Sequence, residues 1–486
     1  MSTSYASARI GPVRLHGATV LLRPPRFDDY AQWRRIRLRD RAMLEPYWFS
    51  SPLSWEQRHT PASWVHECLS AAAESAAGRR VGMVLEIDGR FAGQIELVGI
   101  DQHARSAEMS VWVDTEIGRR GVTGYAGSML LDYGFDTVGL ERITAPIAVT
   151  NADARRAVRK HWQCEAVMTR YFDAGGARVD HELWAVTRDR IPPGGFAADW
   201  LAGYLAAHPA STATATATAH DLAAASDPGN SGNSGNSVDR HDATSSDGHN
   251  ALSSNMRGAP SSDANGPATD DGSRTIARSV ILRALARRLI GRLRHVADPI
   301  HRSQTVALHD EERAVTVRTW RRTDFAGDVG APLPPSTRRP AMRLRTIRTW
   351  WQSFTASRAG IRSAHGLLFA VEHRGRYVGY CRLFDQDMFD HNVRAAVEVS
   401  PSSDPGVATT ALRMLITYAI EQRGIWRVAC AIPATDATAA AVALAAGLRH
   451  EGTLHRFRGS DGTFTDHDLW ALCTAPDSVD AGGAPA

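Results

Sequence analysis

The chain has 486 residues, enough for two or three domains, and a formal net charge of +4 at pH 7. So small an excess gives no argument for a nucleic-acid surface, and with no apolar run of 18 residues no transmembrane helix is predicted. Five scattered cysteines without CxxC spacing fit reduced thiols and no metal centre, so a soluble, cytoplasmic, metal-free protein is expected.

In chain order, VLLR (20–23) reads as a short strand, and residues 28–43 and 61–75 as helices. Three alternating stretches follow as strands: VGMVLEID (81–88), FAGQIELV (91–98) and AEMSVWVD (107–114), the first two joined by a turn at Asp88-Gly89. Residues 121–136 read as a helix, 143–149 as a strand, 152–161 as a helix and 182–187 as a closing strand. Residues 193–207, with Trp200, Leu201 and Tyr204, read as a short docked helix. Residues 208–273 include STATATATA and GNSGNSGNS and cannot bury enough surface to offset chain entropy, so a disordered linker is expected there. The segment 275–297 places Ile281, Leu285 and Leu289 on one stripe among six arginines, a basic amphipathic helix. It could dock on a domain, touch ribosomal RNA or another anionic surface, or meet an acidic protein.

The second half repeats the first. GVTGYAGSMLLDYGFDTVGLERITAPI from Gly121 aligns without a gap with GVATTALRMLITYAIEQRGIWRVACAI from Gly406. Gly121/Gly406, Val122/Val407, Ala126/Ala411, Leu130/Leu415, Tyr133/Tyr418 and Arg142/Arg427 are among the identities. Upstream, Gly89 and Gly93 match Gly375 and Gly379; downstream, DHELWAV (180–186) matches DHDLWAL (466–472). A period this long is a duplicated domain rather than a solenoid. The expected architecture is two α/β (α+β) domains, 9–192 and 312–475, each a central, mostly antiparallel mixed sheet flanked by helices.

The local feature that carries chemistry is a strand, a tight loop and a helix. The loop is Gly118-Arg119-Arg120-Gly121-Val122-Thr123, with Ser403-Asp404-Pro405-Gly406-Val407-Ala408 as its twin. Glycine lets backbone approach a ligand, and free amides at a helix start favour an anion such as pyrophosphate. Together with LLRPPRFDD at the start, LEPYW at 44–48, Asn151 and the closing YFDAGGARVDHELWAVT (171–187), this loop resembles GNAT-type N-acetyltransferases of the RimJ/RimL-like branch. The resemblance covers nearly all of 15–190 and more loosely 312–475. It implies acetyl-CoA as cosubstrate, with Val113, Arg119, Arg120, Gly121, Val122, Thr123, Gly124 and Asn151 in cofactor contact, and Gly406, Val407 and Ala408 as the second unit's counterpart. Gly118, Ser403, Thr123, Ala154 and Trp162-Gln163 depart from the family pattern.

Acetyl transfer to an amine needs a base, an oxyanion site and a proton for the departing thiolate. Glu108, on the strand before the loop, is the expected base, and Tyr171 the expected acid. Their twins are Arg394 and Phe457, and Asn151 becomes Asp436, so unit one is expected to be catalytic and unit two a degenerate copy. The resemblance implies a protein N-terminus as acceptor. A small amine, or a non-catalytic CoA-binding scaffold recruited to ribosomes through 275–297, are the alternatives, and the linker permits an intrachain pseudo-dimer. Asp180-His181, kept as Asp466-His467, reads either as a catalytic dyad or as a structural pair.

Overall fold

The computed structural model describes residues 4–15, 17–117, 121–174, 177–207, 280–281, 306–319, 331–332, 367–387, 391–459 and 462–474. Gly118, Arg119, Arg120, the spacer 208–273 and all of 275–297 except Val280 and Ile281 lie outside these residues.

Unit one runs β1 (Ile10–Leu15), β2 (Ala18–Arg23), α1 (Tyr30–Arg39), α2 (Arg41–Leu44), α3 (Trp55–Arg58), α4 (Pro61–Ala76), β3 (Val84–Ile87), β4 (Arg90–Asp101) and β5 (Ser106–Val113). It continues with α5 (Val122–Asp136), β6 (Arg142–Ala148), α6 (Ala152–Val158), β7 (Gln163–Ala174), β8 (Ala177–Thr187) and α7 (Phe196–Ala207). Unit two shows β9 (Ala307–Asp310), β10 (Val315–Thr319), β11 (Leu367–His373), β12 (Arg376–Asp387), β13 (Asn392–Val399), α8 (Pro405–Arg423), β14 (Arg427–Pro433), α9 (Ala437–Ala445), β15 (Arg449–Arg458) and β16 (Phe464–Cys473). Each unit is the mixed sheet flanked by helices that the sequence implies. The strands β1 and β7 were not anticipated, the latter because its register is broken by bulges at Cys164/Ala166 and Met168/Phe172.

Local chemistry accounts for the elements. Asp88 and Gly89 both take positive φ (48° and 75°), the two-residue hairpin turn that matches strand twist. Helix α4 starts at Thr60, whose hydroxyl accepts from Ser63 N, with Pro61 at the first helical position. The apolar stripe Val122, Tyr125, Ala126, Met129 and Leu130 seats α5 on one face of the sheet. On the other face, Trp33, Ile36, Trp64 and Val65 from α1 and α4 pack on Val84, Phe91 and Trp112, and Val280 and Ile281 join this cluster. Most identities in the repeat are core positions, so the duplication preserves packing first.

The two sheets meet edge to edge in one 16-stranded order, β1-β2-β3-β4-β5-β6-β8-β7-β15-β16-β14-β13-β12-β11-β10-β9. The junction pairs Ala166 of β7 with Gly452 of β15, each the other's repeat equivalent. The polar contacts are reciprocal. Arg142 forms a buried ion pair with Glu165, and Arg427 with Glu451. Glu165 then accepts from His455 N (3.0 Å), and Glu451 from Thr169 N (2.9 Å), His455 and Thr169 being equivalent as well. Met168, Leu183, Leu454 and Leu469 fill the junction, with Tyr171 and Phe457 at its margin. The carboxylates are both charge partner and acceptor across the seam, which satisfies buried charges that would otherwise be costly.

Candidate active site

The cleft follows from strand divergence. β5 and β6 run parallel and pair only over Ser106/Arg142, Ala107/Ile143 and Glu108/Thr144. Beyond Glu108 no pairing of β5 with β6 is found among the described residues, and Ser110 and Val111 are exposed. β13 and β14 likewise stop pairing at Arg394/Ala429. Each sheet therefore opens toward the N-terminus of the helix that follows.

Glu108 sits on the last paired rung, half-buried, and its strand parity groups it with Ser110 and Trp112 on the face opposite α5. In unit two the same rung holds Arg394, which pairs with Asp385 (3.2 Å) and lies over Phe384 and Phe457. Tyr171 lies elsewhere. β8 separates β7 from β6, so Tyr171 stands three strands from β5, roughly 14 Å at ordinary strand spacing. Its ring packs on His181 and beneath Arg427 at the junction. The structure thus places the expected acid at the junction rather than beside Glu108, a placement that sequence could not reveal.

Val113 packs beside the α5 core, opposite Gly93. Gly93 has no room for a side chain, because a Cβ would collide with Trp112 and Val113 backbone, and Gly379 meets the same obstacle. After β5, Asp114 is buried and accepts from Arg39 Nη2 (2.5 Å), while Asp40 accepts from Thr115 N (3.0 Å). These bonds fix the chain as it approaches the loop.

Gly121 is the N-cap of α5 at φ 76°, a left-handed conformation that disfavours side chains. Among the described residues no side chain caps this helix start, and Thr123 Oγ1 is buried without a partner. The start of α8 differs. Its N-cap is Asp404, whose carboxylate accepts from Gly406 N (2.9 Å), Pro405 removes one amide, and a Cβ at Gly406 would lie 2.5 Å from Arg313 Nη1. An anionic ligand at Gly406, Val407 and Ala408 would face a carboxylate already bound to the free amide. At the second loop the amide of Gly406 is thus already bonded to the protein's own side chain.

Asn151 caps α6, its side chain accepting from Ala154 N (3.1 Å), and Asp436 caps α9 in the same way through Ala439 N (2.9 Å). Capping explains why both units keep an amide or carboxylate there. Asp180 accepts from Arg170 N (2.8 Å) and His181 Nδ1 donates to Val179 O (2.9 Å). Asp466 and His467 repeat both bonds with Arg456 N and Thr465 O, which favours the structural reading over a dyad.

The face that carries Glu108 also carries an aromatic enclosure. Arg37 lies between the rings of Trp48 (3.8 Å) and Trp112 (4.0 Å), and burial lowers its pKa to about 9. Tyr47 Oη donates to Thr150 O (3.4 Å), tying the 44–49 loop to the end of β6. Met43, Phe49 and Leu53, from the same stretch of chain, are exposed. Sequence pointed to Tyr47 and Trp48, but not to Arg37, whose burial depends on Trp48 and Trp112 being brought together from distant segments.

A sequence profile for the acetyltransferase (GNAT) domain matches residues 19–161 and again 306–449, more than half of the chain. The spermidine N(1)-acetyltransferase of Escherichia coli (strain K12) is 27% identical over 142 residues, 29% of this chain and 71% of that protein. An uncharacterized N-acetyltransferase, YoaA, of Bacillus subtilis (strain 168) is 26% identical over 125 residues, 26% of this chain and 71% of that protein. Among solved structures, Mycobacterium smegmatis RimJ in complex with CoA-disulfide is 34% identical, with a TM-score of 0.39, covering 41% of this chain and 95% of that one. Among the described residues no helix is long and apolar enough to cross a membrane. With two profile matches lying on two sheets that each open before a helix start, the chain belongs to the GNAT acetyltransferase family and is a tandem N-acetyltransferase.

Proposed function

We propose that unit one transfers acetyl from acetyl-CoA to the α-amine of a protein N-terminus, and that unit two is its non-catalytic partner in an intrachain pseudo-dimer. The observation that carries the assignment is the contrast between the two helix starts: among the described residues α5 leaves its amides and Thr123 Oγ1 without a side-chain cap, whereas α8 is capped by Asp404. Val122, Thr123 and Gly124 would hold the pyrophosphate, with Arg119 and Arg120 adding charge and Asn151 a cofactor contact. The pantetheine arm would lie between β5 and β6, where Val113 flanks the opening and β5 offers backbone donors to the oxyanion.

Glu108 takes the proton from the attacking ammonium, directly or through water. An α-amine with pKa about 8 needs less help than a lysine near 10.4, so one carboxylate suffices. The nucleophile then attacks the thioester carbonyl, and collapse of the tetrahedral intermediate expels CoA thiolate. Water or the ammonium proton itself neutralises that thiolate, since Tyr171 faces the junction.

The acceptor side favours a peptide. Met43, Phe49, Leu53, Tyr47 and Trp48 present apolar and aromatic surface, and the nearby Glu45 and Glu56 are already paired with Arg41, so a polycation finds little to recognise. The likeness to a spermidine acetyltransferase supports a second reading, a small polyamine as acceptor. A panel of N-terminal peptides against polyamines, read by CoA release, separates the two: turnover on peptides alone is expected, and turnover on spermidine alone overturns the peptide reading. The reciprocal bonds at the junction support the pseudo-dimer, and 275–297 remains a candidate ribosome-facing element anchored at Val280 and Ile281.

A further inference from the structure

The junction between the units is made of twin residues, but several twins differ in size or charge. At its centre, a Cβ on Gly452 would overlap Glu165 O and lie 2.6 Å from Ala166 Cα and 2.7 Å from Ala166 Cβ. Backbone and a methyl group cannot turn aside to admit it. The rung therefore takes one alanine and one glycine. Two alanines would push β7 and β15 apart and stretch the flanking bonds of Glu165 to His455 N and of Glu451 to Thr169 N.

The two ends of the seam are unequal as well. At one end Arg178 of unit one lies over the ring of Trp426 (5.5 Å), which stacks on His391 (4.1 Å, 18°). Asn392 bonds twice there: its Oδ1 accepts from Arg178 Nη2 (2.8 Å) and its Nδ2 donates to Tyr171 O (2.7 Å). At the other end stands Phe464, the twin of Arg178. Its ring meets Arg105 of unit one (6.0 Å), beside Arg456 and Arg458 of its own hairpin (5.9 and 5.6 Å). Arg456 donates to Glu141 (2.7 Å), the twin of Trp426, and Glu141 also pairs with Arg105 (3.0 Å) and Arg188 (3.2 Å). Unit one thus brings a cation to each end and unit two an aromatic ring.

Neither edge complements itself. Two unit-one edges would meet Ala166 against Ala166, with Ser106 in the place of Asn392 and without the rings of Trp426 and Phe464. Two unit-two edges would set Arg456 against Trp426 instead of the buried Glu141. A symmetric dimer needs one patch that fits its own copy, and duplication has removed that property here. We infer that the seam is selective: the β7 edge of unit one accepts the β15 edge of unit two and excludes a second unit one, so that a single chain completes the pair from its own two halves. An open strand edge is a template for unwanted pairing, and this division of residues closes it to copies of itself. The inference rests on the pseudo-dimer reading above.

The test is hydrogen exchange at the Thr169 and His455 amides of the full chain, with sedimentation to count copies. Gly452→Ala gives both edges the central residue of unit one. Ala166→Gly combined with Gly452→Ala exchanges the two residues across the seam. Expected is a monomeric wild type with both amides protected, a loss of protection of about tenfold or more in Gly452→Ala, and recovery in the exchanged pair. Amides of the core strand β14 should stay protected throughout, because β15 is the outer strand of its own unit. Wild-type protection at both amides in Gly452→Ala would overturn the inference. So would loss of β14 protection that Ala166→Gly does not rescue, since Gly452 would then serve the folding of unit two alone. Wild-type chains that sediment as dimers would overturn closure within one chain. Free exchange of both amides in wild type would instead sink the pseudo-dimer reading on which the inference stands.

Discussion

Replacing Gly121 and Gly406 with alanine, one at a time, tests the claim that two equivalent glycines do different work. At Gly121 alanine would have to hold φ near 76°, at about 1–2 kcal/mol. Its Cβ would also lie about 3 Å from Tyr204 and Trp200, both on a packed helix that cannot simply swing away. Overpacking of this kind costs about 1–3 kcal/mol, so the sum is about 2–5 kcal/mol. At Gly406 the backbone φ is ordinary, and the Cβ would meet the far end of the flexible Arg313 side chain. That clash is relieved by a rotamer change, and alanine in a first helical turn recovers up to about 1 kcal/mol. Scanning calorimetry should therefore show Gly121→Ala lowering the unit-one transition by several degrees, at about 2–4 °C per kcal/mol for a domain of this size. Gly406→Ala should stay within about 2 °C of wild type by the same conversion. Equal shifts in the two variants would refute the argument, because they would mean that neither the left-handed cap nor the α7 contact distinguishes the loops.

Glu108→Gln should lower turnover by about a hundredfold to ten-thousandfold while acetyl-CoA affinity stays near wild type; unchanged turnover removes Glu108 as base. Glu165→Gln leaves Arg142 buried without its charge partner, so chemical denaturation should show about 3–5 kcal/mol of destabilisation, and an effect below 1 kcal/mol would mean that the seam is hydrated. His59 is buried against Trp55 and Trp33, and burial pushes its pKa from 6.5 down to about 4. The unfolded chain then binds a proton that the folded one does not, so stability should fall as pH drops from about 6.5 to about 4, by up to about 3 kcal/mol from this group. Glu96, raised to about 7 by burial, acts with the opposite slope and is most stabilising at low pH. The check is the difference between wild type and His59→Gln, which should lose the acid-side slope; an unaltered pH profile would contradict the assignment.

Much of this fold was legible because hydrophobic period and turn chemistry agree locally. Asp88-Gly89, the α5 stripe and the repeat itself each point to one structure. The helix at 193–207 was also visible, but its position against Gly121 and Gly124 was not, since nothing in a glycine says which side chain will pack against it. The place of Tyr171 was hidden for a related reason: hydroxyl chemistry is legible in sequence, whereas the strand order that carries β7 to the seam is a long-range property. Asp404 stood in the sequence beside Gly406 and could have been read as an N-cap. The signal was Asp-Pro before a helix, a capping pattern that competes with anion binding. Arg37 carried no such signal, because an arginine every few residues is ordinary in a chain with 56 Lys and Arg.

The most direct measurement is the stoichiometry of acetyl-CoA binding to the full chain by titration calorimetry, repeated with Gly121→Glu and Gly406→Glu. One site per chain is predicted, lost in Gly121→Glu and kept in Gly406→Glu. Two sites, or one site that disappears only with Gly406→Glu, would contradict the division of labour between an open first unit and a self-capped second one.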